Sequence, residues 1–268
     1  MSGLALRGAT ALVTGASSGI GAALARQLAA RGAHLILVAR RQDRLDELGA
    51  ALRSTCGVQV DIVAADLSAP AGLDAVVAAV GARVVDVLIN NAGAGWIGLF
   101  ADAPPARQLE IVDVNCRAVV GLTRAVLPGM LARRRGHVVQ VASVAGFMPG
   151  PRSSVYYASK AFVVSHAEAL RHELKGTGVA VTVVAPGPVA TEFQRRAGVT
   201  GTMGGAALMS DVDVAAATLD AVEGGAFLVV PGVGNALLVA LAWLLPRRFA
   251  AALVDRLQRK RLAAPPAD

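Results

Sequence analysis

Short apolar runs alternate along this chain with longer stretches in which leucine, valine and alanine recur every three or four positions. The runs at 9–14, 34–39, 58–64, 84–90, 137–142, 179–185 and 227–230 predict strands, the first buried because it carries no charged residue and centres on Ala11-Leu12-Val13. Between them, 19–31, 41–53, 71–80, 104–132, 154–174 and 211–223 predict helices; Leu45, Leu48 and Leu52 mark the buried face of the second. Such alternation implies parallel strands joined by right-handed crossovers with helices on both faces, a doubly wound α/β fold.

Two segments break the alternation. From Thr191 to Ser210 there is no sustained period, and Gly198, Gly201, Gly204 and Gly205 loosen the chain. This reads as a mobile lid that closes over a ligand, with an ordinary surface loop as the alternative. Beyond Gly232, residues 236–245 are apolar all round and Pro246 interrupts them. Residues 247–261 are basic, with apolar positions at 249, 253, 254 and 257. The expected division is 1–232 as one domain, with 191–210 as its lid, and 233–268 as a helical extension packed on or near it.

Composition narrows the class. With 268 residues the chain fills one α/β domain, and 54% apolar with 4% aromatic residues means a core of Val, Leu, Ile and Ala. The net charge of +7 is local, since residues 247–261 carry +5 of it. No basic stripe interleaved with aromatics exists, so nucleic-acid binding is not expected. Cys56 and Cys116 lack ligand spacing, and His34, His137, His166 and His172 form no metal-like set, so no metal is expected. Reduced thiols and a first strand starting near Ala9, with no visible signal peptide, give a cytoplasmic expectation. The apolar run at 236–245 is about half a membrane span.

Chemistry enters at four places. Thr14-Gly15-Ala16-Ser17-Ser18-Gly19-Ile20-Gly21 joins the first strand to the first helix. A glycine-rich turn there lets backbone N–H groups and a helix N-terminus approach a pyrophosphate. Its G-x-x-x-G-x-G spacing differs from the commoner G-x-G-x-x-G. Strand two ends in Ala39-Arg40-Arg41 with no carboxylate before Asp43. A cation there accommodates the extra phosphate of NADP, so NADP(H) is expected over NAD(H). Tyr156 and Lys160 stand one helical turn apart, which places an ammonium where it favours the phenolate; Tyr157 has only Ala161 at that spacing. Ser143 ends the fifth strand, thirteen residues before Tyr156.

Thr14–Gly21, Asn90-Asn91-Ala92-Gly93, Asn115, Ser143, Tyr156-x-x-x-Lys160 and Pro186-Gly187 with Thr191 together resemble the short-chain dehydrogenase/reductase family, over about residues 7–232. The resemblance implies a Rossmann-type seven-stranded sheet in the order 3-2-1-4-5-6-7. It implies Tyr156 as general acid and base, Lys160 as its activator and ribose ligand, and Ser143 as donor to the substrate oxygen. Asn115 would hold a water relaying protons from Lys160. The cofactor would be held by Gly15, Ser17, Ser18, Gly19, Ile20 and Gly21, by Arg40 and Arg41, and by Asp66 and Leu67 near the adenine. Asn90 and Asn91 would stabilise the central sheet and, with Ala92 and Gly93, line the adenosine cleft, and Pro186, Gly187, Val189 and Thr191 would contact the carboxamide.

The chain departs from the family's smaller reductases at its C-terminus, where Phe227–Gly232 is followed by 36 further residues. That tail is similar to a subgroup acting on bulky or lipophilic carbonyls, and it weakens the expectation of a tetramer, leaving a homodimer or higher oligomer. The tail either folds over the cleft or an interface, or touches a membrane peripherally. Trp96, Phe147, Met148 and Phe193 are the expected substrate contacts, all apolar. The reading is an NADP(H)-dependent reductase of a hydrophobic ketone or aldehyde. A non-catalytic redox sensor is the alternative from another class, and a sugar epimerase or dehydratase fits the short chain less well.

Overall fold

Each strand of the sheet pairs in parallel with its neighbours, so every connection must cross over the sheet. The computed structural model describes residues 4–81, 83–198 and 208–263. Strands β1 (Thr10–Thr14), β2 (His34–Ala39), β3 (Val60–Ala64), β4 (Val87–Asn90), β5 (Gly136–Val141), β6 (Val179–Val184) and β7 (Leu228–Val229) lie in the order β3-β2-β1-β4-β5-β6-β7. The order reverses between β1 and β4, which opens a crevice at their C-terminal ends.

Alternate side chains of the central strands enter opposite cores. Ala11, Val13, Leu35 and Leu37 pack with helices α1 (Gly19–Ala30), α2 (Gln42–Cys56) and, late in the chain, Asp211–Gly224. Leu12, Ile36, Val38 and Leu88 pack on the other face against α3 (Pro70–Gly81) and the helices Ala118–Ala132 and Ser154–Glu173. The apolar centre of a single strand such as β1, Ala11 to Val13, therefore serves two cores at once.

The long predicted helix at 104–132 consists of α4 (Pro105–Val112) and α5 (Ala118–Ala132), joined by a π-helical turn at Asp113–Arg117. The wider turn buries Asn115 under the crevice. After α6 (Ser154–Glu173), the region expected to lack structure contains a short helix, α7 (Glu192–Arg196), because Glu192 bonds to cations of α2 and to Arg196 one turn on. A bridge from Val189 to Met209 closes the base of this excursion. The remainder of the expected lid, 199–207, lies outside the described residues. Helix α8 (Asp211–Gly224) follows, capped by Ser210.

The tail forms α9 (Val233–Leu244) and α10 (Arg247–Ala263), broken at Pro246. Asn235 anchors α9 against the turn after β6: a Cβ on Gly187 would overlap its amide, which donates to the Pro231 carbonyl at 2.8 Å. Arg152 ion-pairs with Asp255 at 2.9 Å and ties α10 to the loop before α6. Among the described residues no helix is long and apolar enough to cross a membrane.

Candidate active site

The crevice is a cleft of about 900 Å³ running from the β1–α1 turn to the tail helices. At one end, Gly15 and Gly19 adopt φ of +68° and +54°, which few side-chain-bearing residues tolerate. A Cβ on Gly21 would overlap the Gly15 carbonyl oxygen, so this glycine packs the helix against the turn and does not itself face the cleft. Ser18 does not cap α1 with its hydroxyl, which leaves the first-turn N–H groups directed at the cleft. These features fit a dinucleotide pyrophosphate.

Arg41 lies across this turn. Its guanidinium donates to the Ser17 Oγ at 3.1 Å, the Ser18 Oγ at 2.8 Å and a Glu192 carboxylate oxygen at 2.9 Å. Arg40 points elsewhere, toward Glu110 at 3.5 Å and Asp66 at 3.9 Å, and is half exposed. The two consecutive arginines are thus unequal: Arg41 sits on the glycine-rich turn, and Arg40 lies between Asp66 and Glu110. Asp66 also accepts from the Ser68 backbone and hydroxyl, bonds that hold its carboxyl below the usual carboxylate range against the opposing effect of burial. Leu67, Ile20, Ala92 and Gly93 complete this end of the wall.

The two asparagines after β4 do different work. Asn91 lines the cleft, and its amide donates to the Thr14 carbonyl at 2.8 Å, clamping β4 to β1. Asn90 is buried away from the cleft, and its amide donates to Thr123 Oγ1 at 3.1 Å and Gln140 Oε1 at 3.2 Å. The expectation that Asn90 lines the adenosine cleft is therefore corrected: the alternation of strand residues turns it into the core, where it stabilises the sheet.

Ser143, Tyr156 and Lys160 meet in the middle of the cleft wall. Ser143 caps a short 3₁₀ turn, accepting from the Ala145 N–H at 3.2 Å, and its hydroxyl donates to the Pro186 carbonyl at 3.3 Å. Burial pushes the Tyr156 hydroxyl up to about 12, while the neighbouring Ser143 hydroxyl acts in the opposite direction. The lowered phenol expected from Lys160 is not what the protein's own groups produce. The ammonium lies 6.0 Å from the Tyr156 ring centre and donates to the Val141 carbonyl at 2.7 Å, so desolvation outweighs its field. Lys160 itself is pulled down to about 8 by burial.

Asn115 does not reach the cleft. Its Oδ1 accepts from the Ala94 N–H at 2.9 Å, and its Nδ2 donates to the Ala94 carbonyl at 3.0 Å and to Ser159 Oγ at 2.9 Å. Both amide hydrogens are taken, so a water on this side chain would have only the remaining Oδ1 lone pair. Gly93 separates it from the lysine: a Cβ there would sit 3.5 Å from Asn115 Oδ1 and 3.7 Å from Lys160 Nζ.

Phe193, on α7, packs against Gly95 and sets its ring 5.6 Å from that of Tyr156. Trp96 and Met148 line the same part of the cleft, whereas Phe147 turns out of it toward Trp243, with ring centres 6.4 Å apart. Phe147 ends the 3₁₀ turn Val144–Phe147 and Met148 resumes extended backbone, so the two side chains diverge and Phe147 is removed from the expected substrate contacts. Pro186, Gly187, Val189 and Thr191 line the opposite wall, with Thr191 Cγ2 2.9 Å from where a Gly19 Cβ would be. Among the described residues no group of His, Cys, Asp or Glu could hold a metal.

The tail helices line the cleft, one of the placements their sequence left open, but the sequence named none of the residues that do so. Leu238, Leu241 and Leu245 of α9 and Leu253, Val254 and Leu257 of α10 line the cleft. Gln258 donates to the Tyr157 hydroxyl at 3.4 Å, and the Tyr157 ring covers Gly150. The i, i+3, i+7 spacing of 238, 241 and 245 was the available signal, but an all-apolar helix hides which stripe faces inward.

The comparisons agree with this geometry. A family model described as short chain dehydrogenase matches residues 9–200. The chain belongs to the short-chain dehydrogenase/reductase family. A short-chain dehydrogenase from Sphingobium yanoikuyae, solved in complex with NADPH, is 36% identical with a TM-score of 0.80, covering 88% of this chain and 94% of that one. The bulky-bulky ketone specific alcohol dehydrogenase from Comamonas testosteroni is 31% identical with a TM-score of 0.77, covering 88% and 93%. The very-long-chain 3-oxoacyl-CoA reductase of Anas platyrhynchos is 35% identical over 193 residues, 70% of this chain and 62% of that protein. The chain spans from 15% to 62% of the length of the first curated relatives it matches. Other short-chain dehydrogenase/reductase neighbours are solved with NADP and with NAD.

Proposed function

We propose that this chain is an NADP(H)-dependent reductase that interconverts a lipophilic ketone or aldehyde and its alcohol. The observation that carries the reading is the meeting of Ser143, Tyr156 and Lys160 in one cleft with the uncapped glycine-rich turn. A bound dihydronicotinamide would supply hydride to the carbonyl carbon. As negative charge grows on the substrate oxygen, the Tyr156 hydroxyl gives it a proton and the Ser143 hydroxyl donates a hydrogen bond to it. The high proton affinity of buried Tyr156 keeps that proton in place at neutral pH until the oxygen needs it. In the oxidative direction the phenolate is required, and Lys160, which would hold the nicotinamide ribose, would help to stabilise it.

Coenzyme choice rests on Arg41. Its contacts to Ser17 and Ser18 put a guanidinium fork at the end of β2, where a 2′-phosphate of NADP would lie. The neighbour solved with NADPH supports this choice. The apolar wall built by Trp96, Met148, Phe193 and the tail leucines suits a bulky hydrophobic carbonyl, in keeping with the neighbour described as bulky-bulky ketone specific.

The test is NADPH consumption against ketones graded in chain length and ring size. Turnover that rises with apolar bulk is the expected result. NADPH binding with no oxidation by any ketone or aldehyde of the panel would overturn the reading in favour of a sensor.

A further inference from the structure

We infer that the outer face of α9 docks on an anionic lipid surface, and that lipophilic substrate passes from that surface into the cleft between α9 and α10. The second half rests on the carbonyl reductase reading; the first does not.

Helix α9 carries two apolar stripes. Leu238, Leu241, Ala242 and Leu245, spaced i, i+3, i+4 and i+7, line the cleft. Val233, Leu237 and Leu244, spaced i, i+4 and i+11, face outward with Trp243; Val233 is 88% exposed, Leu244 80% and Trp243 70%. A helix apolar on every side is ordinarily buried, and this one has only Val239 buried. The outward stripe and the cleft stripe belong to the same twelve-residue helix, so the apolar surface runs without a polar border from outside to the cleft mouth. Exposed Phe249 extends it past Pro246. Patches of this kind mark interaction surfaces.

Charge selects the occupant. No acidic residue lies between Glu223 and Asp255, while Arg247 and Arg248 follow directly on α9 and are exposed. Indole beside aliphatic side chains, with arginines at the edge, is the pattern of a segment lying in the headgroup region of an anionic leaflet. A second copy seated on this face would set like-charged arginine clusters against each other, which opposes self-association. At twelve residues α9 is too short to span a bilayer, so the contact is peripheral.

The experiment is flotation of the full chain with phosphatidylcholine vesicles, with and without phosphatidylglycerol. Co-flotation with the anionic vesicles only, weakened by high salt, is expected. The double variant Val233→Asp and Leu244→Asp, neither of which lines the cleft, should remain at the bottom. Its far-ultraviolet dichroism and its rate on a water-soluble ketone should match the parent. Arg247→Glu with Arg248→Glu should lose the preference for anionic over neutral vesicles. A parent chain that does not float, or a double variant that floats equally, overturns docking. So does a parent dimer that the double variant converts to monomer without any flotation, which assigns the face to a second copy.

For substrate entry, the double variant should turn over a vesicle-borne long-chain ketone roughly tenfold more slowly, with the soluble ketone unaffected. An equal effect on both ketones overturns entry through this face. Flotation requires no turnover, so failure of the reductase reading leaves the docking result interpretable.

Discussion

The two ends of the cleft are built by opposite rules. The end proposed for the coenzyme is made of backbone held at fixed angles: Gly15 and Gly19 at positive φ, Asn91 clamping β4 to β1, and Arg41 laid over Ser17 and Ser18. The substrate end is made of apolar side chains from elements added after the sheet is complete, with α9 and α10 meeting Trp96, Met148 and Phe193. Polar recognition needs each donor in one place, whereas an apolar wall needs only volume and the exclusion of water. The first end can therefore serve one coenzyme while the second is free to change with substrate. Ser143, Tyr156 and Lys160 stand where the two meet.

The sharpest break in this comparison is at the junction. Tyr156→Phe removes the proton that the substrate oxygen receives, and kcat should fall by about 10²–10⁴-fold while NADPH still binds. Tyr157→Phe is the matched control, since its hydroxyl accepts from Gln258 and lies on the tail side. It should change kcat less than about threefold, with any effect appearing in KM for bulky ketones. Stopped-flow rates and NADPH fluorescence titration measure both. Comparable losses of kcat in the two variants would remove Tyr156 from its assigned role.

At the coenzyme end, Arg41→Ala should weaken NADPH binding by about 10- to 100-fold and leave NADH nearly unchanged, because only the former carries the 2′-phosphate. Arg40→Ala should have the smaller effect, given its position over Asp66 and Glu110. Equal weakening of both coenzymes by Arg41→Ala would mean that the arginine only shapes the turn.

These distinctions show what could be read from the residues alone. The seven strands and the candidate reactive set were legible because apolar runs, the glycine turn and Tyr156-x-x-x-Lys160 are local patterns, whereas the strand order came only from the family resemblance that those motifs carry. The difference between Arg40 and Arg41 was not, because neighbours in sequence diverge at the end of a strand by geometry that composition does not record. Nor was the inward turn of Asn90: the predicted strand already ended there, but which face of the sheet its side chain takes depends on register. The sign of the Tyr156 shift depends on burial, which spacing from Lys160 does not reveal. For α9, periodicity carries no phase when every position is apolar, so the stripe that faces the cleft emerges only from packing.

The junction also carries a pH signature. Burial lowers Lys160 to about 8 in the folded chain against 10.5 when unfolded, so between those values the unfolded chain binds more protons and stability rises with pH. Below about pH 8 both states are protonated and the dependence disappears. Tyr156, raised to about 12 against 10.0, works in the opposite sense above pH 10, where the unfolded chain loses its proton first and stability falls. Cys116, whose thiol is pushed up by burial, works against this over the same range, so the informative quantity is the difference from Lys160→Met. Urea unfolding between about pH 8 and 9.5 should give a stability slope more positive in the parent than in that variant by nearly one proton. Parallel profiles in the two would mean that the ammonium is not desolvated as the structure has it.

The smallest effect concerns the contact that links the two ends. Glu192, at the start of α7, accepts from Arg41 at 2.9 Å and Arg44 at 2.7 Å, and one turn later the same helix presents Arg196 to it. Its carboxyl is held down to about 2, first by the hydrogen bonds from Arg44 and Arg41. A carboxylate on Arg41 occupies the kind of anion position that a 2′-phosphate would take, so the two compete for one guanidinium. Phe193, which covers Tyr156, is the next residue on the same helix. Glu192→Gln should therefore tighten NADPH by about two- to fivefold without moving NADH, a modest change because ion pairs near solvent contribute little. It should also raise KM for the ketone slightly, as α7 loses its tie to α2. Weaker NADPH binding in this variant would show that Glu192 orients Arg41 for the phosphate, making the two ends partners at this contact and not competitors.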